Sequence, residues 1–258
     1  MKIIKLVILF NYQKILLGII VSIALFGLSF FINSSFFVLL FRVLSILIIL
    51  NIIASLVASY ILYDNSDLYE LNNLKGIIDW NKTENIILVH ASFDPLSKSL
   101  EEKYPNLNLT VCDIFGNRHE QEKGIETSKK IFPPNPKEIK IKPHQLPFED
   151  QSQNVILAIT ALHEILDHEQ RVLFFKEAKR ILKDDGLIIV SEQFRDFTNF
   201  LFFNIGAFHF LNKKQWQEAI SEAGLEIVDN KKITPFANML IVRKKYFLNY
   251  NFKYKKKK

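Results

Sequence analysis

Cysteine is almost missing from this chain: Cys112 is the single one in 258 residues. An internal disulfide and any multi-cysteine metal site are thereby excluded, and the usage fits a reducing compartment. Its neighbours Leu109, Val111 and Ile114 mark it as a buried, inert thiol. Glycine is scarce too, eight in all, with none between Asn85 and Asp113. No GxGxxG run exists, so an NAD-type reductase is the weakest of the enzyme readings. Charge of one sign is also missing from the body. The formal net charge is +6, but the tail from Arg243 to Lys258 is so rich in lysine that it accounts for the excess. A nucleic-acid face is not supported, because the positive charge is terminal and not spread over a folded surface.

What the chain has in plenty is apolar sequence, and it sits before Tyr63. Ile15 to Ile32 is a run without a charge, about long enough for a hydrocarbon core of ~30 Å. Asn33-Ser34-Ser35 breaks it, and a second run extends from Phe36 to Tyr63, interrupted by Arg42 and Asn51. A transmembrane hairpin with spans at about 15–33 and 40–63 is the simplest reading, since spanning backbone must satisfy its own hydrogen bonds. A signal peptide is the lesser alternative, because no small-x-small cleavage site follows and a second span does. Near a helix end, Arg42 can snorkel to the headgroups. Lys2, Lys5 and Lys14 precede the first span and Lys75 and Lys82 follow the second, so both termini are expected in the cytoplasm. The basic, aromatic tail (245–258) either lies on anionic headgroups or is a solvated terminus.

Residues 1–64 are thus expected to form the hairpin, 65–85 a connector with a short helix around Leu68 to Ile78, and 86–244 a folded domain. Strand candidates are Ile86–His90, Leu109–Asp113, Glu138–Lys142, Val155–Thr160 and Leu187–Ser191. Helices are expected from Pro95 to Tyr104, with Asp94 as N-cap, from His119 to Ile131, from Glu169 to Leu182 and from Gln215 to Ala223. Gly186 is expected to close the third of these helix regions and Gly224 the fourth. Leu225–Val228 and Met239–Val242 should finish as an antiparallel edge. Strands alternating with helices imply an α/β fold with a mostly parallel sheet.

Such sheets bind ligands beyond the carboxyl ends of their strands. Asp113 ends the second strand, where an acid accepts hydrogen bonds from ribose hydroxyls; the alternative is an Asp that caps a turn before Gly116. The first-strand turn, His90-Ala91-Ser92-Phe93-Asp94, offers small residues but no glycine for positive φ. His163-Glu164 follows the fourth strand, with Asp167-His168 just beyond. That spacing is not HExxH, and carboxylates near a helix start are ordinary caps, so no metal is expected. His163 or Glu164 could instead serve as a general base, as could His209. From Gln193 to Phe210 seven phenylalanines crowd together, either as a helix packed on the sheet or as a lid over an apolar pocket or membrane interface.

Together these stretches resemble the class I S-adenosylmethionine-dependent methyltransferases of the small-molecule type. The likeness covers about Ile86 to Lys244, and its most specific parts are LPFED (Leu146 to Asp150), NVILAITALHEILDH (Asn154 to His168), KEAKRILKDDGLIIVSE (Lys176 to Glu192) and WQEAISEAGL (Trp216 to Leu225). The resemblance implies a Rossmann-like sheet with helices on both faces. It implies that His90, Ala91, Ser92 and Phe93, Asp113 with Ile114, and His144, Gln145 and Leu146 hold S-adenosylmethionine, and that Thr160 to His163 line the reaction centre. Two departures stand out: the family has an acidic residue and a glycine-rich run at the first strand, and often an Asp where this chain has Lys142. The expected function is a membrane-anchored methyltransferase acting on an apolar or lipid-like small molecule. The alternative is a catalytically silent domain used as a membrane-tethered binding module.

Overall fold

The computed structural model describes residues 3–114 and 129–245. Two long helices come first, α1 (Ile4–Leu28) and α2 (Ser35–Tyr63). Both are long and apolar enough to cross a membrane, and only 11% and 6% of their most apolar windows are buried. Their apolar surface is therefore not used up by the protein's own core. Helix α1 begins well before the expected span, because Ile3 and Ile4 donate backbone N–H groups to the Asp64 carboxylate at 2.6 and 2.8 Å. A carboxylate there satisfies orphan donors and favours the helix dipole. Midway, Ser22 Oγ meets the Ser45 carbonyl at 3.0 Å and Ser45 Oγ at 2.8 Å, so the helices approach on small residues. Arg42 lies beside Ser29 at the turn end of the hairpin and over the Phe30 ring.

Seven strands follow: β1 (Asn85–His90), β2 (Asn108–Asp113), β3 (Ile139–Lys140), β4 (Gln153–Ile159), β5 (Leu182–Gln193), β6 (Leu225–Lys232) and β7 (Ala237–Lys244). Their order in the sheet is β3-β2-β1-β4-β5-β7-β6. The first five run parallel, and β7 inserts antiparallel between β5 and β6. The remaining helices are α3 (Ser97–Lys103), α4 (His168–Ile181), α5 (Phe197–Phe203) and α6 (Lys213–Glu222).

The central strands are apolar on both sides, and period-two alternation divides them between two cores. Ile87, Val89, Ile156, Ala158, Ile188 and Val190 face α4 and α6, where Phe175, Ala178 and Trp216 are buried. Ile86, Leu88, Val155, Leu157, Leu187 and Ile189 face the other way. That second core is closed by Ala58 and Leu62 of α2, by Leu68, Leu71 and Leu74 of the connector, and by Leu100 of α3. The end of the second apolar helix thus doubles as a core helix of the domain. Each such buried leucine stabilises by about 1.5–3 kcal/mol.

Several boundaries differ from expectation. Helix α3 starts at Ser97, while Asp94 accepts from the N–H groups of Leu96 and Ser97 at 3.0 and 2.9 Å, forming an Asx turn before it. The connector holds only a short 3-10 turn, Leu71–Leu74. Gly186 does not close a helix: α4 ends at Ile181 and Gly186 lies within β5. A Cβ there would sit 2.7 Å from Leu182 Cγ and 2.9 Å from the Asn154 carbonyl, so glycine is required for close strand approach. Gly224 does end α6, at φ +73°. Most of the helix expected from His119 to Ile131, and the tail beyond Lys245, lie outside the described residues.

The LPFED segment and helix α4 belong to one device. Arg180 donates to the carbonyls of Leu146 and Phe148 at 3.0 and 2.9 Å and pairs with Asp150 and Glu177 at 2.7 and 2.8 Å. Glu177 in turn accepts the Leu146 N–H at 3.0 Å. This clamp fixes the loop that leads out of β3 and past the crevice.

Candidate active site

The carboxyl ends of β1, β2, β4 and β5 carry His90, Asp113, Thr160 and Glu192 side by side. Three of the four are buried in the described structure: His90, Asp113 and Glu192. Polar groups out of water are expensive unless partnered, so their partners define the site.

At β1, His90 Nε2 pairs with Glu138 Oε2 at 3.1 Å. The end of β1 is therefore tied to an acid from the segment before β3. Its Nδ1 is buried with no hydrogen-bond partner among the described residues. Ser92 takes φ +58°, the left-handed conformation that glycine usually supplies. Its N–H donates to Asp113 Oδ1 at 3.1 Å. The glycine-type turn is thus built without glycine, and the Asp113 contact over-determines it. A β-branched residue tolerates this backbone far less well. Ser92→Val is expected to cost about 1–3 kcal/mol, while Ser92→Gly should be tolerated; chemical denaturation of both variants checks this. Ala91 and Phe93 are half-buried beside it, and the Phe93 ring stands edge-on to Phe132 at 4.9 Å. Ile114 is buried.

After β3, Leu146 is buried but His144 and Gln145 are exposed, and His144 Nδ1 approaches Gln170 of α4 at 3.4 Å. Of the three proposed adenine-flanking residues, only Leu146 reaches the core.

At β4, Thr160 also takes a left-handed φ, +48°. Its hydroxyl meets the Tyr69 hydroxyl at 2.6 Å. Tyr69 stacks on Tyr63, the last residue of α2, at 6.3 Å, and Tyr63 donates to Gln193 Oε1 at 3.0 Å. Burial pushes the Tyr69 hydroxyl well above its usual range, so it stays a neutral donor. These two tyrosines join the apolar helix to the strand ends, and neither position stood out in the sequence. A Tyr preceding a polar connector carries no distinctive signal.

Glu192 organises the fourth side. Its Oε1 accepts the N–H groups of Ala161, Leu162 and His163 at 3.1, 2.9 and 3.3 Å. Its Oε2 meets His163 Nδ1 at 2.8 Å. The other imidazole nitrogen, Nε2, faces Glu164 Oε1 at 3.5 Å. His209, half-exposed and 46 positions further along the chain than the adjacent His163, brings Nε2 to 3.3 Å from that same oxygen. The three residues expected as base candidates are therefore one cluster. Burial alone would lower the His163 pKa, but the facing Glu192 and Glu164 outweigh it and push it up to about 10. Burial would raise the Glu164 carboxyl, yet its bonds to His163 and His209 hold it well below the usual range. With only a proton at Nε2, His163 is a cation at neutral pH and not a base. Asp167 and His168 stand apart: Asp167 caps α4 through the Gln170 N–H at 2.8 Å, and His168 pairs with Glu222 at 3.2 Å.

Cys112 is fully buried and burial pushes its thiol up to about 12, as an inert core residue requires.

Residues 96–190 match a family model described as a methyltransferase domain. The match starts after the first-strand turn. Among solved structures, an S-adenosylmethionine-dependent methyltransferase from Clostridium acetobutylicum aligns with a TM-score of 0.50 at 12% identity, covering 74% of this chain and 98% of that one. A protein from Pyrococcus horikoshii aligns at 0.50 and 14%, covering 72% and 98%. A pyocyanin biosynthetic protein aligns at 0.51 and 10%, covering 73% of this chain and 57% of its own. At such identities these likenesses carry the fold. No curated protein matches the sequence.

Proposed function

We propose that this chain, which carries a class I S-adenosylmethionine-dependent methyltransferase domain, is anchored in a membrane and methylates an apolar, membrane-dissolved small molecule. The observation that carries the reading is the row of polar groups at the ends of β1, β2, β4 and β5, walled on one side by the end of α2.

The residues fit the cofactor. Asp113 is a buried acid at the end of β2, oriented by the Ser92 N–H, and His90 Nδ1 is a buried polar atom with no partner among the described residues. When bound, S-adenosylmethionine supplies a methyl group activated as a sulfonium. The chain's own work is placement and water exclusion. Asp113 accepts from ribose hydroxyls, Phe93 and Ile114 pack beside the nucleoside, and the segment from His144 to Leu146 flanks the base. Thr160 to His163 border the methyl acceptor, and Tyr69 and Tyr63 close the crevice towards the hairpin. Glu164 and the half-exposed His209 stand beside His163 at this end of the crevice.

The surface beside that crevice favours a lipid-like acceptor. Phe197, Phe200, Leu201, Ile205 and Phe208 project from α5 and the turn after it and are exposed. The same turn meets the hairpin through the amide pair of Asn204 with Asn51. Of the two sequence readings of this aromatic segment, both have a part: Phe194 lies in the first core, Phe202 and Phe203 pack against the second, and Phe197, Phe200 and Phe208 face outward. An exposed patch of this kind, next to two membrane-length helices, suits a membrane interface. A silent binding module is the second reading, favoured by the tie between His90 and Glu138 at the position where the family carries a ligand-facing acid.

The test is to reconstitute the full chain in vesicles with S-adenosylmethionine labelled on the methyl group and a total lipid extract. Label passing into the organic phase supports the proposal. Bound cofactor with label confined to the aqueous phase would overturn the lipid-like acceptor, and failure to bind cofactor would leave the module reading in its place.

A further inference from the structure

His163, Glu164 and His209 do more than cluster. Their ligand-type atoms all lie within 4.8 Å of one another. Two ligand atoms on a tetrahedral ion, each about 2.0–2.1 Å from it, stand about 3.3–3.4 Å apart. The two contacts to Glu164 Oε1 are 3.5 Å from His163 Nε2 and 3.3 Å from His209 Nε2. Both imidazoles present the nitrogen that metals use, and both turn it to one carboxylate oxygen.

The decisive feature lies behind them. Metal-bound histidines usually donate their other N–H to a carboxylate, which fixes the tautomer and raises ligand basicity. His163 Nδ1 meets the almost fully buried Glu192 at 2.8 Å in that way. Glu192 cannot swing away, since three backbone N–H groups hold its other oxygen. His163 Nε2 is then aimed at the space shared with Glu164 and His209.

We infer that His163, Glu164 and His209 form a binding site for one divalent transition-metal ion of the zinc class, with Glu192 orienting the first ligand. Sequence spacing gave no sign of it, because His209 arrives from a distant turn, and the local His163-Glu164-Asp167-His168 group divides in the fold. Two imidazoles and one carboxylate select zinc, iron or cobalt over calcium or magnesium, which prefer all-oxygen sites. Three protein ligands leave a fourth position open. It faces the exposed side, where Glu164 and His209 meet solvent. Under the methyltransferase reading, on which this one step rests, an oxygen of the acceptor would occupy it.

The experiment needs no S-adenosylmethionine, so its result is separate from that reading. The full chain in detergent micelles is stripped with chelator, dialysed, and titrated with ZnCl2 by calorimetry, then with CoCl2 by visible absorption. One Zn2+ per chain and intense Co2+ bands of a tetrahedral site are expected. His209→Ala and Glu164→Gln should each weaken Zn2+ at least about 10-fold and abolish those bands, while His168→Ala should change neither. His209 is half-exposed, so its loss leaves the fold standing, and a circular dichroism spectrum of each variant establishes that. No binding by the wild-type chain, or equal binding by His209→Ala and Glu164→Gln, overturns the site.

Discussion

Asp113→Ala is expected to weaken S-adenosylmethionine binding by about 100-fold or more, because a carboxylate that takes hydrogen bonds from hydroxyls is worth about 1.5–3 kcal/mol per bond. Part of the loss comes through the turn. The same carboxylate accepts the Ser92 N–H at 3.1 Å, and that bond helps hold Ser92 at φ +58°. Without it, the turn relaxes towards ordinary backbone and the approach to the nucleoside is lost. Asp113→Asn keeps an oxygen for Ser92 but gives up the charge, so it should fall between the two. Binding isotherms on folded variants read this directly. Equal affinity in Asp113→Ala and wild type would show that the acid is only a turn cap.

Glu192→Ala is expected to be the most destabilising single substitution in the site, at about 3–5 kcal/mol. Its carboxylate serves the N–H groups of Ala161, Leu162 and His163 together with His163 Nδ1. Removing it strands three donors, of which those of Ala161 and Leu162 belong to buried residues, and leaves the His163 ring without its anchor. Each stranded donor costs its own desolvation. For a domain of this size the midpoint of thermal unfolding should drop by roughly 10 °C. Glu192→Gln keeps an acceptor for the backbone and should lose far less. If Glu192→Ala and Glu192→Gln melt together near wild type, the turn after β4 does not depend on this residue.

Much of the domain was legible because local pattern and tertiary placement agree. The run from Val155 to Ile159 is apolar throughout, and a strand buried on both faces must be. Val172, Phe175 and Ala178 share a helical face, and all three are buried against the sheet. Gly186 misled because glycine commonly ends helices, whereas here it makes room between neighbouring strands. The first-strand turn misled in the opposite direction. Its composition lacks the residue that left-handed backbone prefers, yet Ser92 adopts that backbone under a tertiary hydrogen bond.

What the sequence could not carry were the encounters between distant segments. Tyr69 lies 91 residues before Thr160, and its hydroxyl still closes on that side chain. Glu138 answers His90 from 48 residues away. Leu62 reads as lipid-facing in a hydrophobic run, but it is fully buried in the domain core. For that reason cutting the chain after the hairpin would remove part of the core, and binding experiments belong on the full chain.

The most direct measurement is therefore a titration of the full chain, in lipid nanodiscs, with S-adenosylmethionine and with its demethylated product. The structure predicts saturable binding of one molecule per chain and a rise in the unfolding temperature with ligand concentration, as binding to the folded state requires. No binding and no thermal shift at millimolar concentrations of either compound would contradict it.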